Sequence, residues 1–417
     1  MINKNYAAFI WHAALLAVTA TFIEINTVLP AMIIRVGGNE LHIGIMSAIM
    51  IGIPLIAQLS FAGYLHGRRR KKPFLILGIN LRILALIGMS LTVMNIGRFS
   101  LAVGLGLIYI ELLLFTFSGA FAGLAYIDIL GKSFTPSVRR SLVVNKQIIS
   151  GIGILVSALI VRSVLKTIGF PDNYVVLYTA AAAALLVASA GFYALREPLN
   201  GTQQAGITYW STLKSIPERI RNDNNLRNYI VVANLLGVAV VLLPFYVAFA
   251  QERYLLDSSL VGNLLLVQIA GIVISGFLWK RVSRKLGFKG LLFILASLGT
   301  VLPILALVFG TWLPVPFYLA VFLISGSAIS AQKMSSEAVL VEITSDRDRV
   351  LYTGIIGTLN LTVALLPILI GALLPVTGYP ILFILSALLP LSAVRFIRRM
   401  DCPIDRKGPV FSAVTSA

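Results

Sequence analysis

From Gly290 to Gln332, and again from Leu351 to Val394, the chain carries no charged side chain. Stretches of this kind cannot coat a soluble domain, and a helix of about 20 apolar residues is long enough to cross the roughly 30 Å hydrocarbon core of a bilayer. The sequence therefore specifies an all-α integral membrane protein. Composition agrees, since 58% of the 417 residues are hydrophobic and 12% charged, with a mean hydropathy of +0.92. Disorder, a soluble enzyme and a fibrous repeat are excluded at these values. A net charge of +18 would mark a nucleic-acid binder in a soluble protein. Here the cations lie between apolar segments, where they set membrane orientation, so nucleic acid is not an expected partner. The single cysteine, Cys402, cannot close an intrachain disulfide and has no neighbours at metal-ligand spacing. At the N-terminus, Met1 to Asn5 runs directly into an apolar segment longer than a signal-peptide core, without a small-residue cleavage site, so the first helix is expected to stay.

Division at charge clusters and turn residues predicts twelve spans, near 7–34, 41–65, 73–96, 99–128, 143–165, 173–195, 228–251, 258–279, 289–310, 315–340, 350–374 and 377–395. Two of the divisions, at 310–316 and 375–380, rest on Gly and Pro alone. An even count puts both termini on one side of the membrane. That side receives 27 of the 34 Lys and Arg, counting Lys132, Arg139, Arg140 and Lys146 as one loop; five fall opposite, and Arg82 and Lys333 lie within spans. Positive-inside asymmetry then places both termini in the cytoplasm, as in a bacterial inner-membrane protein. The longest polar interval divides the spans six and six. The expected organisation is a first six-helix bundle at 1–196, a linker at 197–227, a second bundle at 228–396 and a cytoplasmic tail at 397–417. Within the linker, Ile207, Trp210, Leu213, Ile216 and Ile220 recur at helical spacing, the pattern of a helix lying on the membrane surface.

The halves are related by an internal repeat. Gly63, Arg68, Lys71 and Lys72 in loop 2-3 return as Gly276, Arg281, Arg284 and Lys285 in loop 8-9, at a constant offset of 213, and Pro30 returns as Pro244 at 214. Six spans per repeat preserve direction, so the repeats are parallel. At these residues the sequence resembles the major facilitator superfamily of secondary transporters, whose loop 2-3 motif has a Gly, an Asp-Arg pair, a second Gly and a basic cluster. Gly63, Arg68, Lys71, Lys72 and Pro73 match, while Gly67 and Lys280 stand where the motif has its acid and Arg70 where it has the second Gly. The resemblance implies two bundles that rock about a central site, with Gly63, Arg68, Lys71, Lys72, Gly276, Arg281, Arg284, Lys285 and Asp128 at a cytoplasmic gate. The same cations can also be read as topogenic and lipid-contacting groups.

An ionisable side chain deep in a membrane helix costs about 3 kcal/mol, which makes each one a functional candidate. Glu24, among Thr19, Thr21, Asn26 and Thr27 in span 1, is the first choice for proton coupling, with solvation in a wet vestibule as the alternative. Arg82 and Glu111 fall at similar depth in spans 3 and 4. They are expected either to pair, or to serve as a proton or substrate site in which Arg82 modulates Glu111. Lys333 and Glu337 stand one turn apart in span 10 and can neutralise each other. Alternatively Lys333 receives an anionic substrate group with Gln332, Ser335 and Ser336 as hydrogen-bond partners, or the pair acts at a cytoplasmic gate; Asn26 and Arg82 are further candidates for substrate binding or charge pairing. Gly119, Gly123, Gly151, Gly153, Gly354 and Gly357 would permit close helix approach, and Pro54, Pro244 and Pro367 would bend their helices. Span 5 lacks the Gly-Pro motif of the drug-antiporter branch, which disfavours typical drug:proton antiport.

There is no phosphate-binding Gly-Lys-Ser/Thr loop, and His12, His42 and His66 are scattered. No cofactor, metal or catalytic activity is expected. The expected partners are a small organic solute, a proton or other coupling ion, and membrane lipids, with the protein acting as a monomer. An uncoupled facilitator or lipid flippase, and a non-transporting receptor or assembly factor on the same fold, are the rival readings.

Overall fold

The computed structural model describes residues 2–66, 68–198, 209–254, 257–343, 352, 355–357 and 359–401. Among them the elements are helices and turns, with no strand. The principal helices are α1 (Ile2–Phe22), α2 (Val28–Val36), α3 (Glu40–His66), α4 (Lys72–Met94), α5 (Leu101–Ser133), α6 (Pro136–Thr167), α7 (Asp172–Tyr193), α8 (Tyr209–Asn222), α9 (Asn224–Val241), α10 (Leu243–Tyr254), α11 (Ser258–Trp312), α12 (Val315–Ile343) and α13 (Leu361–Arg398). Among the described residues ten segments are long and apolar enough to cross a membrane, which makes this a multi-pass integral membrane protein. Gly67, Ile207, Gly354 and Cys402, singled out from the sequence, lie outside the described residues, as does the tail beyond 401.

Two helices are too long for one crossing, and each contains a glycine in the left-handed region that only Gly enters without strain. Gly287 (φ 61°, ψ −160°) divides α11 at the expected loop 8-9, and Gly378 (φ 71°, ψ 163°) divides α13 inside the expected 375–380 turn. The other uncharged division is also present, since α11 ends at Trp312 and α12 begins at Val315.

Two spans expected to be continuous are broken. Residues 23–27 interrupt the first between α1 and α2, and Leu242 interrupts the seventh between α9 and α10. Each break is followed by a proline in the first turn of the new helix, Pro30 in α2 and Pro244 in α10. Proline clashes with the preceding turn and has no N–H to donate, so it fits where a helix begins and disrupts one in its middle. Pro54 and Pro367, by contrast, lie inside uninterrupted stretches of α3 and α13.

The chain forms two compact units that do not follow its order. Unit 1 comprises Met1–Tyr209, Pro244–Ile269 and Ala364–Pro375; unit 2 comprises Trp210–Leu243, Ala270–Val363 and Val376–Ala417. In unit 1, α4 packs on α5 and α7, α1 on α6 and α7, and α3 on α5. Gly78 sets the α4–α5 approach, because a Cβ there would stand 2.8 Å from both the Ser118 carbonyl and Ala122 Cβ. At the end of unit 1 where α3 begins, Gly44 of α3 lies against the Pro367 carbonyl of α13, and Gly371 of α13 against the Glu40 carbonyl of α3. At the same end Gly262 of α11 packs on the Arg162 backbone of α6, and Arg162 Nε donates to Asn263 Oδ1 at 2.6 Å. Small residues let backbones touch where lipid supplies no hydrophobic drive between helices.

Of the glycines proposed from the sequence for such contacts, Gly153 meets the Ala14 carbonyl of α1 and Gly119 accommodates the Arg82 side chain. Gly123, Gly151 and Gly357 face open space, so they set no helix approach here; spacing alone does not say which face of a helix is covered. In unit 2, Gly271 packs on the Leu323 backbone, Gly299 on Ala239 and Pro390, and Gly237 on Val363. Asp223 caps α9 by accepting from Leu226 N at 3.0 Å, and the Tyr352 hydroxyl donates to its other oxygen at 2.6 Å.

Candidate functional site

The end of unit 1 where α1 begins is organised by two acids. Lys71 Nζ and Lys132 Nζ each stand 2.6 Å from Asp128 on α5, on opposite carboxylate oxygens. Lys71 retains 11% of its side-chain exposure and Asp128 28%, so the cluster is partly shielded from water. Glu197, beyond α7, accepts from the backbone N–H groups of Lys71 and Lys72 at 2.9 Å. A carboxylate at a helix start satisfies orphan amides and complements the helix dipole. Lys72 Nζ donates in turn to the carbonyls of Tyr193 and Leu195. Arg68 turns back on α3, donating to the Tyr64 hydroxyl at 3.2 Å with its guanidinium 5.0 Å from that ring. Gly63 directly precedes Tyr64 in that helix. The loop therefore lacks the motif acid but is tied to α5 and α7 through Asp128 and Glu197. In the repeated copy, Gly276 approaches Ser330 Oγ in unit 2, while Arg281, Arg284 and Lys285 are exposed and form no ion pair among the described residues.

Glu24 occupies the break between α1 and α2. One carboxylate oxygen accepts from the Asn26 and Thr27 backbone N–H groups and the Thr27 hydroxyl at 2.7–2.8 Å. The other accepts from Asn26 Nδ2 at 2.7 Å and Gln268 Nε2 at 3.2 Å. Five donors thus converge on a side chain that interrupts the helix and holds the first amides of the next one. Asn26 spends its side chain on Glu24.

Arg82 and Glu111 do not pair. Glu111 Oε1 accepts from Thr92 on α4 at 2.7 Å and lies over Gly88, while Oε2 is buried without a hydrogen-bond partner. Arg82 sits toward the other end of the α4–α5 interface, its guanidinium 4.2 Å from the Phe115 ring centroid and its Nε buried without a partner. Because α4 and α5 run antiparallel, the depth estimate from separate helix starts misjudged their stagger. In α12, Lys333 is exposed, and the hydroxyls of Ser335 and Ser336 return to the carbonyls of Gln332 and Lys333. The side chain of Glu337 lies outside the described residues.

Sequence reasoning missed a second group in unit 1. Lys146, counted as a loop cation, is inside α6 because that helix starts at Pro136. Its Nζ hydrogen-bonds the Tyr126 hydroxyl and lies 4.5 Å from the centroid of that ring. His12 of α1, which sequence reading left unassigned, stacks 4.4 Å from Phe192 and 6.0 Å from Tyr126. The start was legible as Thr135-Pro136, a cap followed by proline in the first helical position.

No family model matches the sequence, and a search of curated proteins finds no match. Solved structures do match in fold. A bacterial homologue of the iron transporter ferroportin in an inward-facing state aligns over 96% of this chain and 99% of its own, with a TM-score of 0.73 and 11% identity. The nucleoside transporter NupG aligns over 95% and 98%, at 0.70 and 12%. The xylose transporter XylE from E. coli aligns over 95% of both chains, at 0.61 and 16%.

Proposed function

From the premise that this chain has the fold of the major facilitator superfamily, we propose that it is a secondary transporter moving a small organic solute by alternating access, coupled to protons. The observation that carries the reading is the end-to-end likeness to membrane transporters, at an identity too low to carry a substrate across. Counting α11 and α13 as two spans each, divided at Gly287 and Gly378, turns ten apolar segments into twelve. These are read as bundles at 1–196 and 228–396 joined by the 197–227 linker, with both termini in the cytoplasm. The breaks after α1 and α9 stand at equivalent places in the repeat, and interrupted helices provide both hinges and polar termini near a transport path. The Lys71–Asp128–Lys132 cluster acts at the cytoplasmic gate with Arg68 and Lys72.

Of the two acids, Glu111 is the better proton carrier, because one of its oxygens has no partner, whereas both oxygens of Glu24 are engaged. The test is uptake into proteoliposomes containing the purified protein, using a solute panel with and without an imposed pH gradient. Gradient-driven accumulation that Glu111→Gln reduces to simple equilibration supports the proposal. Flux indifferent to the gradient favours the uncoupled facilitator, a reading to which the fully engaged Glu24 lends weight. No flux for any solute, with binding retained, would place the protein among receptors on this fold.

A further inference from the structure

Where α4 starts and α7 ends, a cavity of 720 Å³ opens on the surface of unit 1. Its polar lining is three cations, Arg70, Lys72 and Arg196, and one acid, Glu197, over an apolar wall that includes Ile76 and Leu77. The span of α4 begins at Lys72 and that of α7 finishes at Tyr193, so the cavity lies where two crossings meet the membrane surface. Its charges do not cancel. Glu197 is already engaged, accepting from the Lys71 and Lys72 amides at 2.9 Å. Lys72 Nζ donates to the Tyr193 and Leu195 carbonyls at 2.7 and 2.8 Å, which leaves one of its three N–H groups. Arg70 and Arg196 are exposed and form no ion pair among the described residues. A smaller cavity of 170 Å³ shares Arg196 and adds Lys4.

Below the cations the lining changes character. Asn80, about 12 Å along α4 from Lys72, also lines the cavity and donates to the Tyr193 hydroxyl at 3.1 Å. Leu77, Leu84, Ile87, Leu91 and Met94 are all exposed, and their spacing of three, four and seven residues puts them on one face of α4. An exposed apolar stripe thus runs from the cavity to the far end of the span, interrupted at Asn80. On a membrane-crossing helix such a stripe is covered by acyl chains. A ligand that fits both parts is anionic at one end and apolar along the other. No free acid among the described lining residues is left to receive the ammonium of a zwitterionic headgroup. A soluble anion would leave the stripe unused.

We propose that this cavity binds an anionic glycerophospholipid, with its phosphodiester held by Arg70 and Arg196, its ester groups beside Asn80 and Tyr193, and one acyl chain along the α4 stripe. Basic pockets at the ends of membrane helices hold anionic headgroups by the same combination of charge and apolar contact. The lipid touches the start of α4 through Lys72, next to the amides that Glu197 holds. The site requires that α4 and α7 cross the membrane and is independent of whether the protein transports a solute.

The experiment is native mass spectrometry of the full-length detergent-purified protein with added dioleoyl phosphatidylglycerol or dioleoyl phosphatidylcholine, which share their chains and differ in headgroup charge. The expected result is retention of the phosphatidylglycerol on the order of tenfold above the phosphatidylcholine. Replacing both arginines, Arg70→Gln with Arg196→Gln, should abolish that preference, and Arg70→Lys with Arg196→Lys should keep most of it. The comparison is Arg281→Gln with Arg284→Gln, which removes two exposed cations from the repeated loop and should leave the preference intact. Both target arginines are exposed, so their variants should unfold at the wild-type midpoint when no lipid is added. Equal retention of the two lipids by the wild type overturns the site, as does an equal loss in the two Gln double variants, which would mark unspecific charge attraction. Displacement of the phosphatidylglycerol by millimolar glycerol phosphate would assign a soluble phosphate ligand and overturn the lipid.

Discussion

Glu24 shows how one residue can be read in two ways until its neighbours are placed. In the sequence it is an acid without a basic partner; in the structure it accepts from the backbone and side chains of Asn26 and Thr27, immediately before α2. That spacing, an acid a few residues before a helix start, was legible. The donor from Gln268, far along the chain, was not. Glu24→Ala should leave these donors unsatisfied and lower stability by roughly 1–3 kcal/mol, read as an earlier midpoint of thermal unfolding in detergent. Glu24→Gln keeps one acceptor oxygen and should cost less. If instead both variants unfold like the wild type while gradient-driven uptake disappears, Glu24 is a coupling acid and its structural role is wrong. Arg82 carries the opposite lesson, since its place over Phe115 rather than beside Glu111 depends on how α4 is staggered against α5.

At the scale of elements, the contacts that matter in unit 1 are backbone crossings at glycine. Gly44 and Gly371 each present a helix surface to a carbonyl of the other helix, so a side chain at either position needs α3 and α13 to move apart. Gly44→Leu and Gly371→Leu should destabilise this packing by about 1–3 kcal/mol, the usual cost of overfilling a closed contact. They should also raise the labelling of a cysteine placed at Glu40 by a membrane-impermeant maleimide. Unchanged labelling in both variants would show that the crossing is not tight in the membrane. Gly123 and Gly151 faced no neighbour despite equivalent spacing, and substitution there to Ala should be silent in the same assay. The helix breaks after α1 and α9 were half legible: Pro30 and Pro244 stood in the sequence, but an apolar run around them reads as continuous until the chain is seen to turn.

For the whole molecule, the twelve-span reading makes a prediction independent of substrate. With Cys402→Ser as background, cysteines introduced at Lys4 and at Asp401 should react with an impermeant reagent only after the membrane is opened, and one at Asn39 should react in intact cells. Opposite protection of the two termini would make the count odd and cancel the paired six-span repeat. The glycines that decide the count, Gly287 and Gly378, each interrupt a stretch that would otherwise be a single helix too long for a bilayer.

The sequence by itself determined that this chain lives in lipid, because uncharged runs of that length have no other solvent, and it determined where the chain turns, because Gly and Pro act through local backbone sterics. It also located the ionisable residues that hydrocarbon makes expensive. Tertiary structure alone decided which of them meet. Lys71 found Asp128, Glu24 found its donors, Arg82 missed Glu111, and His12 and Lys146 both came to the Tyr126 ring. Pairing depends on helix stagger and facing direction, which arise from side-chain packing between segments distant in the chain and leave no periodicity in any one of them.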